Sequence, residues 1–329
     1  MTASSAYKSS QIEPKAYMTD VVTLTLNPAL DLSTSVSRMI PDYKLRCKEP
    51  RRDPGGGGVN VARVISRLGG NVTAVYPAGG PAGAMLRRLL QNEGVASHAV
   101  LTRQDTRENF HVFEEETKQQ YRFTLRGPAL SRSAWRRCQS AIIRELHSSK
   151  YIVCSGSLPR GAPEDAYARL ARQGKQVGAQ LVIDGSGPSL RAALKEGVYL
   201  VKPSLSELRQ LTGQELDTEV SWIKVCRELV AANAAHIIAL TLGSRGALLV
   251  TREITLRAAA IQIPIVTTIG AGDSFLAALV WSLMQRRPIA EALRIAVAAG
   301  AGALLEPGTR LCMRKDIERL TPQVRIEEL

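Results

Sequence analysis

Val21-Val22-Thr23-Leu24-Thr25-Leu26 is followed by Val59-Asn60-Val61-Ala62-Arg63-Val64-Ile65-Ser66-Arg67-Leu68, then by Val72-Thr73-Ala74-Val75-Tyr76 and the amphipathic stretch Ala84–Glu93. Short β-branched runs thus alternate with longer stretches whose apolar residues recur at helical spacing, a pattern that reads as βαβα with parallel strands. The rhythm returns at Tyr151–Cys154, Pro163–Gln173, Gln180–Ile183, Tyr199–Val201 and His236–Leu240. These strands are nearly continuously apolar, which requires cover on both faces of the sheet, so a doubly wound α/β fold is expected. The C-terminal third reads as helical, with Ser274–Gln285 and Pro288–Leu305 as candidates.

Two segments break the rhythm. Residues 32–51 and 107–125 look like antiparallel strand pairs, the second with alternating Phe110, Val112, Tyr121 and Phe123 around a polar turn. Inserted into an α/β domain, they would form a small β lid over the carboxyl ends of the parallel strands, where ligands of open sheets bind. The expected organisation is a flexible extension over residues 1–20, rich in Ser, Lys, Gln and Pro, and one domain over 21–329 carrying the two lid insertions.

Composition narrows the partners. The chain of 329 residues is 45% hydrophobic and 22% charged, as expected of a globular protein with a large core. Its formal charge of +13 suits anionic ligands. The basic residues are scattered and aromatic content is only 5%, which argues for phosphorylated metabolites over nucleic acid. The longest apolar run, Ile295–Leu305, falls well short of the roughly 20 residues that span a bilayer, and residues 1–20 lack the basic and apolar regions of a signal peptide. No membrane association and a cytoplasmic location are therefore expected. Cys47, Cys138, Cys154, Cys226 and Cys312 form no C-x-x-C pair and read as buried reduced thiols. His98, His111, His147 and His236 show no metal-ligand spacing.

Four motifs carry chemistry. Gly270-Ala271-Gly272-Asp273 precedes the apolar helix Phe275–Met284, so backbone N–H groups at a helix start would bind an anion beside a carboxylate able to accept a proton. By itself Asp273 reads equally well as a helix cap. Asp53-Pro54-Gly55-Gly56-Gly57-Gly58-Val59-Asn60 lets backbone approach a ligand closely, or serves as a hinge. It is neither a P-loop nor a dinucleotide fingerprint. Lys202-Pro203-Ser204-Leu205-Ser206-Glu207 places a cation and a carboxylate after a strand, although Ser-x-x-Glu is also a capping box. Thr241-Leu242-Gly243-Ser244-Arg245-Gly246 is a turn between two strands.

Taken in order with Asn27-Pro28-Ala29-Leu30-Asp31 and Ser155-Gly156-Ser157-Leu158-Pro159, these motifs resemble the PfkB (ribokinase-like) family of carbohydrate kinases over residues 21 to about 320. Lys44-Leu45-Arg46-Cys47 and Gly308-Thr309-Arg310-Leu311-Cys312 look like the minor 6-phosphofructokinase isozymes within it. The resemblance implies an α/β/α sandwich with a mostly parallel sheet and a β lid that pairs two chains as a homodimer. It assigns the sugar to Asp31, Gly56, Gly57, Asn60 and Ser157, with Arg107 and Lys44 on its phosphate. It places ATP along Thr241, Gly243 and Gly246, with Lys202 near the phosphates and Ser204 and Glu207 beside them; Glu207 would support Mg²⁺ through water. Gly270, Ala271 and Gly272 would form the anion hole and Asp273 the base. The family usually has Asn where this chain has Ser204, and many relatives carry an acid where it has Thr268.

The implied reaction is ATP-dependent phosphorylation of fructose 6-phosphate at its 1-hydroxyl, giving fructose 1,6-bisphosphate. 1-Phosphofructokinase and tagatose 6-phosphate kinase would need the same basic phosphate pocket. Outside enzymes, the chain could be a sugar-phosphate sensor on a kinase fold, although a retained Asp273 favours catalysis.

Overall fold

The computed structural model describes residues 19–146 and 149–329. Most of the expected N-terminal extension, residues 1–18, and His147 lie outside the described residues.

The chain enters through strand β1, Val21–Leu24, all four of whose residues are buried. β2, Ala29–Val36, and β3, Arg51–Gly55, then leave the main sheet as an antiparallel pair, with residues 37–50 as their connection. Helix α1, Gly57–Arg67, starts where the glycine run ends. β4 (Val72–Ala78), α2 (Gly80–Asn92) and β5 (Ala96–Leu101) continue the main sheet. β6 (Arg107–Glu114) and β7 (Gln120–Phe123) return to the small one. There Phe110 faces Phe123 and Val112 faces Tyr121, as their alternation requires. β2 and β6 pair in parallel, so the small sheet has the order β3-β2-β6-β7.

The second half is wound more regularly. After α3 (Arg132–Leu146), the elements β8 (Tyr151–Ser155), α4 (Ala166–Gln176), β9 (Gln180–Asp184), α5 (Gly187–Glu196) and β10 (Val198–Val201) alternate strictly. α6 (Leu205–Thr212) and α7 (Glu219–Ala231) lead to β11 (Ala235–Thr241). The chain then turns back through β12 (Ala247–Val250) and β13 (Thr255–Ala258), both antiparallel to their neighbours. Helices α8 (Ala271–Met284), α9 (Ile289–Leu304) and α10 (Arg314–Leu320) and strand β14 (Ile326–Glu328) finish the fold.

The ten-stranded sheet runs β14-β13-β12-β11-β10-β9-β8-β1-β4-β5 and is parallel from β5 to β11. It is the mostly parallel α/β sheet expected. The C-terminal third is not all helical, however, because β11, β12 and β13 form a meander whose residues Ala247–Val250 are buried on both faces and therefore lack a polar alternation. Strand side chains divide by parity: Val22, Leu24, Ile152 and Cys154 pack under α3, α4, α5, α6 and α7. Val21 and Val153 pack under the layer of α1, α2, α8, α9 and α10. Helix α8 is apolar almost all round because α1 and α9 flank it, which accounts for the absence of a polar stripe in Phe275–Val280.

Strand succession reverses at β1: the chain builds outward through β4 and β5, then resumes on the other side of β1 with β8. A crevice opens at the carboxyl ends of strands at such a point, where a ligand can approach without steric cover from a crossover. Four of the five cysteines are buried as expected, but Cys47 is exposed, because the 37–50 connection stands away from the core. Among the described residues no helix is long and apolar enough to cross a membrane.

Candidate active site

The carboxyl ends of β1, β8, β9, β10 and β11 deliver Asn27, Ser155, Asp184, Lys202 and Thr241 to one rim. The N-terminus of α8 faces them. Its cap, Gly270, has φ 75°, in the left-handed region where a side chain would be strained. Ala271, Gly272 and Asp273 form the first turn, so their N–H groups have no partner within the helix. A Cβ placed on Gly272 would lie 3.5 Å from Lys202 Nζ. A buried ammonium and an open helix start thus converge on one point, which is an anion site.

Asp273 is not a side-chain cap. The N-cap position belongs to Gly270, and the Asp273 carboxylate instead accepts a 2.8 Å hydrogen bond from Asn60 Nδ2 of α1. Removal from water raises its pKa, Asp184 and more weakly Asp31 raise it further, and Asn60 and Lys202 oppose them, leaving it at about 6. A carboxyl at that value is ionised at neutral pH yet basic enough to take a proton from a positioned hydroxyl.

Asp184 escaped the sequence reading because it ends a strand before Gly185-Ser186-Gly187-Pro188, which reads as an ordinary turn; its only signal is its place at the end of an apolar run. It pairs with Lys202 at 3.0 Å and accepts from Ser155 Oγ at 3.2 Å. Burial alone would lower the Lys202 pKa, but Asp184, with Asp273 and Glu207 beyond it, holds it above the ordinary value. The ammonium is therefore charged.

Ser204 and Glu207 form the capping box of α6: Ser204 Oγ accepts from the Glu207 N–H, and Glu207 Oε2 accepts from the Ser204 N–H at 2.7 Å. Where the family usually has Asn, the serine hydroxyl is used to close a helix. Thr241 bonds through its N–H to the Pro203 carbonyl, tying the turn that holds Gly243 and Gly246 to the same rim. Carboxylates at Asp184 and Glu207, with no thiol and no three-ligand cluster among the described residues, are a donor set that suits a hard cation held mainly by phosphates and water.

On the opposite side lie the sugar candidates. Asp31 of β2 is buried and accepts from Asn109 Nδ2 at 2.8 Å, with His111 Nε2 3.9 Å away. Gly56 has φ 108°, which turns the chain from β3 into α1, and Gly57 and Asn60 open that helix. Arg107 opposes Ala29 at the start of β6 and donates to the carbonyls of Leu125 and Asn27, leaving its buried Nε without a partner. Ser157 is exposed and its Oγ accepts from Asn27 Nδ2 at 3.4 Å. Lys44 is exposed on the 37–50 connection and has no ion pair or hydrogen bond within its own chain among the described residues, so the fold does not bring it to the others. A cleft of about 520 Å³ lies between the small sheet, with Ser33, His111 and Arg122, and the loops carrying Ile269 and Gly308. Arg122 reaches the hydroxyl of Thr268, the position where many relatives carry an acid, so a strand of the small sheet touches the loop leading to Gly270.

The model of the pfkB family of carbohydrate kinases matches residues 20–316. This chain belongs to the pfkB family. The Mycobacterium tuberculosis "ATP-dependent 6-phosphofructokinase isozyme 2" is 42% identical over 299 residues, covering 91% of this chain and 88% of the relative. The Escherichia coli protein of the same description is 38% identical over 304 residues, covering 92% and 98%. The crystal structure of Escherichia coli phosphofructokinase-2 in complex with fructose-6-phosphate superposes with a TM-score of 0.87 at 36% identity, covering 93% of this chain and 99% of the other. This pfkB protein is an ATP-dependent sugar kinase with the ribokinase-like fold.

The raised pKa of Asp273 has a signed consequence for stability. The folded protein binds this proton more tightly than the unfolded chain, so the contribution is fully present below the ordinary carboxylate range and lost as pH rises through about 6. Asp273→Asn should match the wild type near pH 4 and exceed it at pH 7–8 by about 1–2 kcal/mol. Urea unfolding at both pH values measures this, and a variant less stable at pH 8 would show that the charge is stabilised in place.

Proposed function

We propose that this chain transfers the γ-phosphoryl group of ATP to the 1-hydroxyl of fructose 6-phosphate, with Asp273 as the general base. The observation that carries this reading is the half-buried Asp273 carboxylate in the first turn of α8, beside an anion site made by the helix start and Lys202. The sugar is held by Asp31, the Gly56–Gly57 backbone, Asn60 and Ser157, with the Arg107 guanidinium on its phosphate. Asp273 takes the proton as the hydroxyl oxygen bonds to the γ-phosphorus, while the bond to the bridging oxygen breaks and ADP leaves. Charge on the transferring group is met by Lys202 and the N–H groups of Gly270, Ala271 and Gly272. Asp184 and Glu207 would hold Mg²⁺, which supplies further charge neutralisation at the nucleotide phosphates. Thr241, Gly243 and Gly246 line the nucleotide edge. The small sheet acts as the lid, whose contact between Arg122 and Thr268 excludes water that would otherwise attack the γ-phosphate.

Support for the substrate comes from the identities of 38–42% to 6-phosphofructokinases and from the basic side chains around the sugar pocket. A panel of fructose, fructose 1-phosphate, fructose 6-phosphate and tagatose 6-phosphate with MgATP, read by ADP release, is expected to give the highest kcat/KM for fructose 6-phosphate. Fructose should fall behind by about 10–100-fold or more, since a charge-assisted contact contributes about 1.5–3 kcal/mol. A preference for either competing phosphate ester would reassign the substrate.

The proposal includes a homodimer through the small sheet, whose Phe110, Phe123 and Leu125 are at least 40% exposed. Light scattering at micromolar concentration should give twice the chain mass; a fully active monomer would remove the clasp.

A further inference from the structure

One large charged side chain lies behind the site and reaches it through Asn60. Arg63 of α1 is 1% exposed. Its Nε and Nη2 grip both carboxylate oxygens of Glu93 at 2.7–3.1 Å. Nη1 donates to the carbonyls of Pro54 at 2.8 Å and Thr309 at 3.0 Å and faces Asn60 Oδ1 at 3.3 Å. Asp53 lies 3.9 Å from the guanidinium, and Arg67 shares Glu93 with it. The Glu93 fork occupies Nε and Nη2, while Nη1 is held by two carbonyls within reach of the amide that contacts Asp273.

An Asn amide can sit in either of two orientations related by a half-turn. With Oδ1 toward Arg63, Nδ2 points at Asp273 and donates to its Oδ2 at 2.8 Å. The reverse orientation would set the amide oxygen against a carboxylate and the amide N–H groups against a guanidinium, two repulsions at once. We propose that Arg63 is a positioning residue for the phosphoryl transfer: it locks the Asn60 amide so that only a donor faces the catalytic carboxylate. This rests on the kinase reading above. The lock has a chemical purpose, because a neutral Asp273 needs an acceptor for its proton, and a free amide could rotate to supply one. Held by Arg63, Asn60 opposes protonation of the base in a cleft where removal from water and the neighbouring Asp184 and Asp31 favour it, with Lys202 as the other opposing group. The same guanidinium holds Pro54, at the exit of the small sheet, and Thr309, beside the sugar cleft, so the amide is fixed relative to both walls.

Arg63→Lys keeps the positive charge opposite Glu93 and Asp53 but replaces a planar fork by a single ammonium, which cannot serve Glu93, two carbonyls and Asn60 together. The ligand-free protein is titrated by carboxyl carbon NMR, with the Asp273 resonance assigned by its loss in Asp273→Asn. The lock predicts that Arg63→Lys raises the Asp273 midpoint by about half a pH unit or more, that Asn60→Ala raises it at least as far, and that the double variant goes no further. In turnover, Arg63→Lys should lower kcat by about tenfold, move its acid limb upward in step, and leave KM for MgATP within about twofold.

Where Arg63→Lys does not fold, Glu93→Gln replaces it. That change frees the fork and removes a negative charge, so simple electrostatics would lower the midpoint, whereas loss of the lock raises it. An unmoved or lowered midpoint in a folded variant, with only the melting temperature reduced, assigns Arg63 to structure alone. The titration needs no substrate. A wild type that phosphorylates no sugar phosphate therefore overturns the kinase reading, whereas the titration still decides the lock.

Discussion

A carboxylate that must stay charged where water is scarce is the constraint on which this structure turns. Asp273 is pushed toward the neutral form by its surroundings and by Asp184, and it is kept usable by two opposing groups, the Asn60 amide and the Lys202 ammonium. Burial disfavours the Lys202 charge, and Asp184, which pairs with it, is the main group that sustains it. The four residues come from α1, β9, the end of β10 and α8, so the charge balance exists only when the helix layer that holds α1 and α8 is docked on the sheet. Packing and electrostatics are coupled here: the apolar burial of α8 between α1 and α9 is what brings a carboxylate within reach of the Asn60 amide.

The same balance divides the labour of the rim. Groups suited to negative charge, the α8 N-terminus and Lys202, meet on one side of Asp273; Asp31, proposed for the sugar and held by Asn109, lies on the side of the small sheet. A base between an anion site and a hydroxyl-binding site is the arrangement that phosphoryl transfer demands, because the protein has mainly to align two reactants and neutralise charge. Helix ends and strand ends are well suited to this, since their backbone donors are fixed before any ligand arrives.

How much of this was legible in the sequence depended on whether a residue carried a local signature. The parallel strands were visible because β-branched runs alternate with helical periodicity, and Gly270-Ala271-Gly272-Asp273 was visible because two glycines precede an apolar helix. Asp184 was not: the Gly185-Ser186-Gly187-Pro188 segment after it reads as a plain turn, and its importance arises only when β9 is laid beside β10. Arg63 was hidden for the opposite reason, since an arginine in an amphipathic helix reads as a surface residue until Glu93, 30 positions later, is folded against it. The strand after the Thr241–Gly246 turn was expected, but β13 was not, because four residues are too short a run to show a period. Ser204 and Glu207 show the converse: the local capping reading holds in the structure, with the ligand role resting on their position at the rim.

The central claim is that Asp273 is the general base of the kinase, and Asp273→Asn tests it most directly. The substitution keeps the side-chain shape and an oxygen for Asn60, while removing nearly all basicity. With MgATP and fructose 6-phosphate, kcat is predicted to fall by about 10²–10⁴-fold, with both ligands bound as tightly as by the wild type in calorimetry. A folded variant with kcat near the wild-type value would contradict the account.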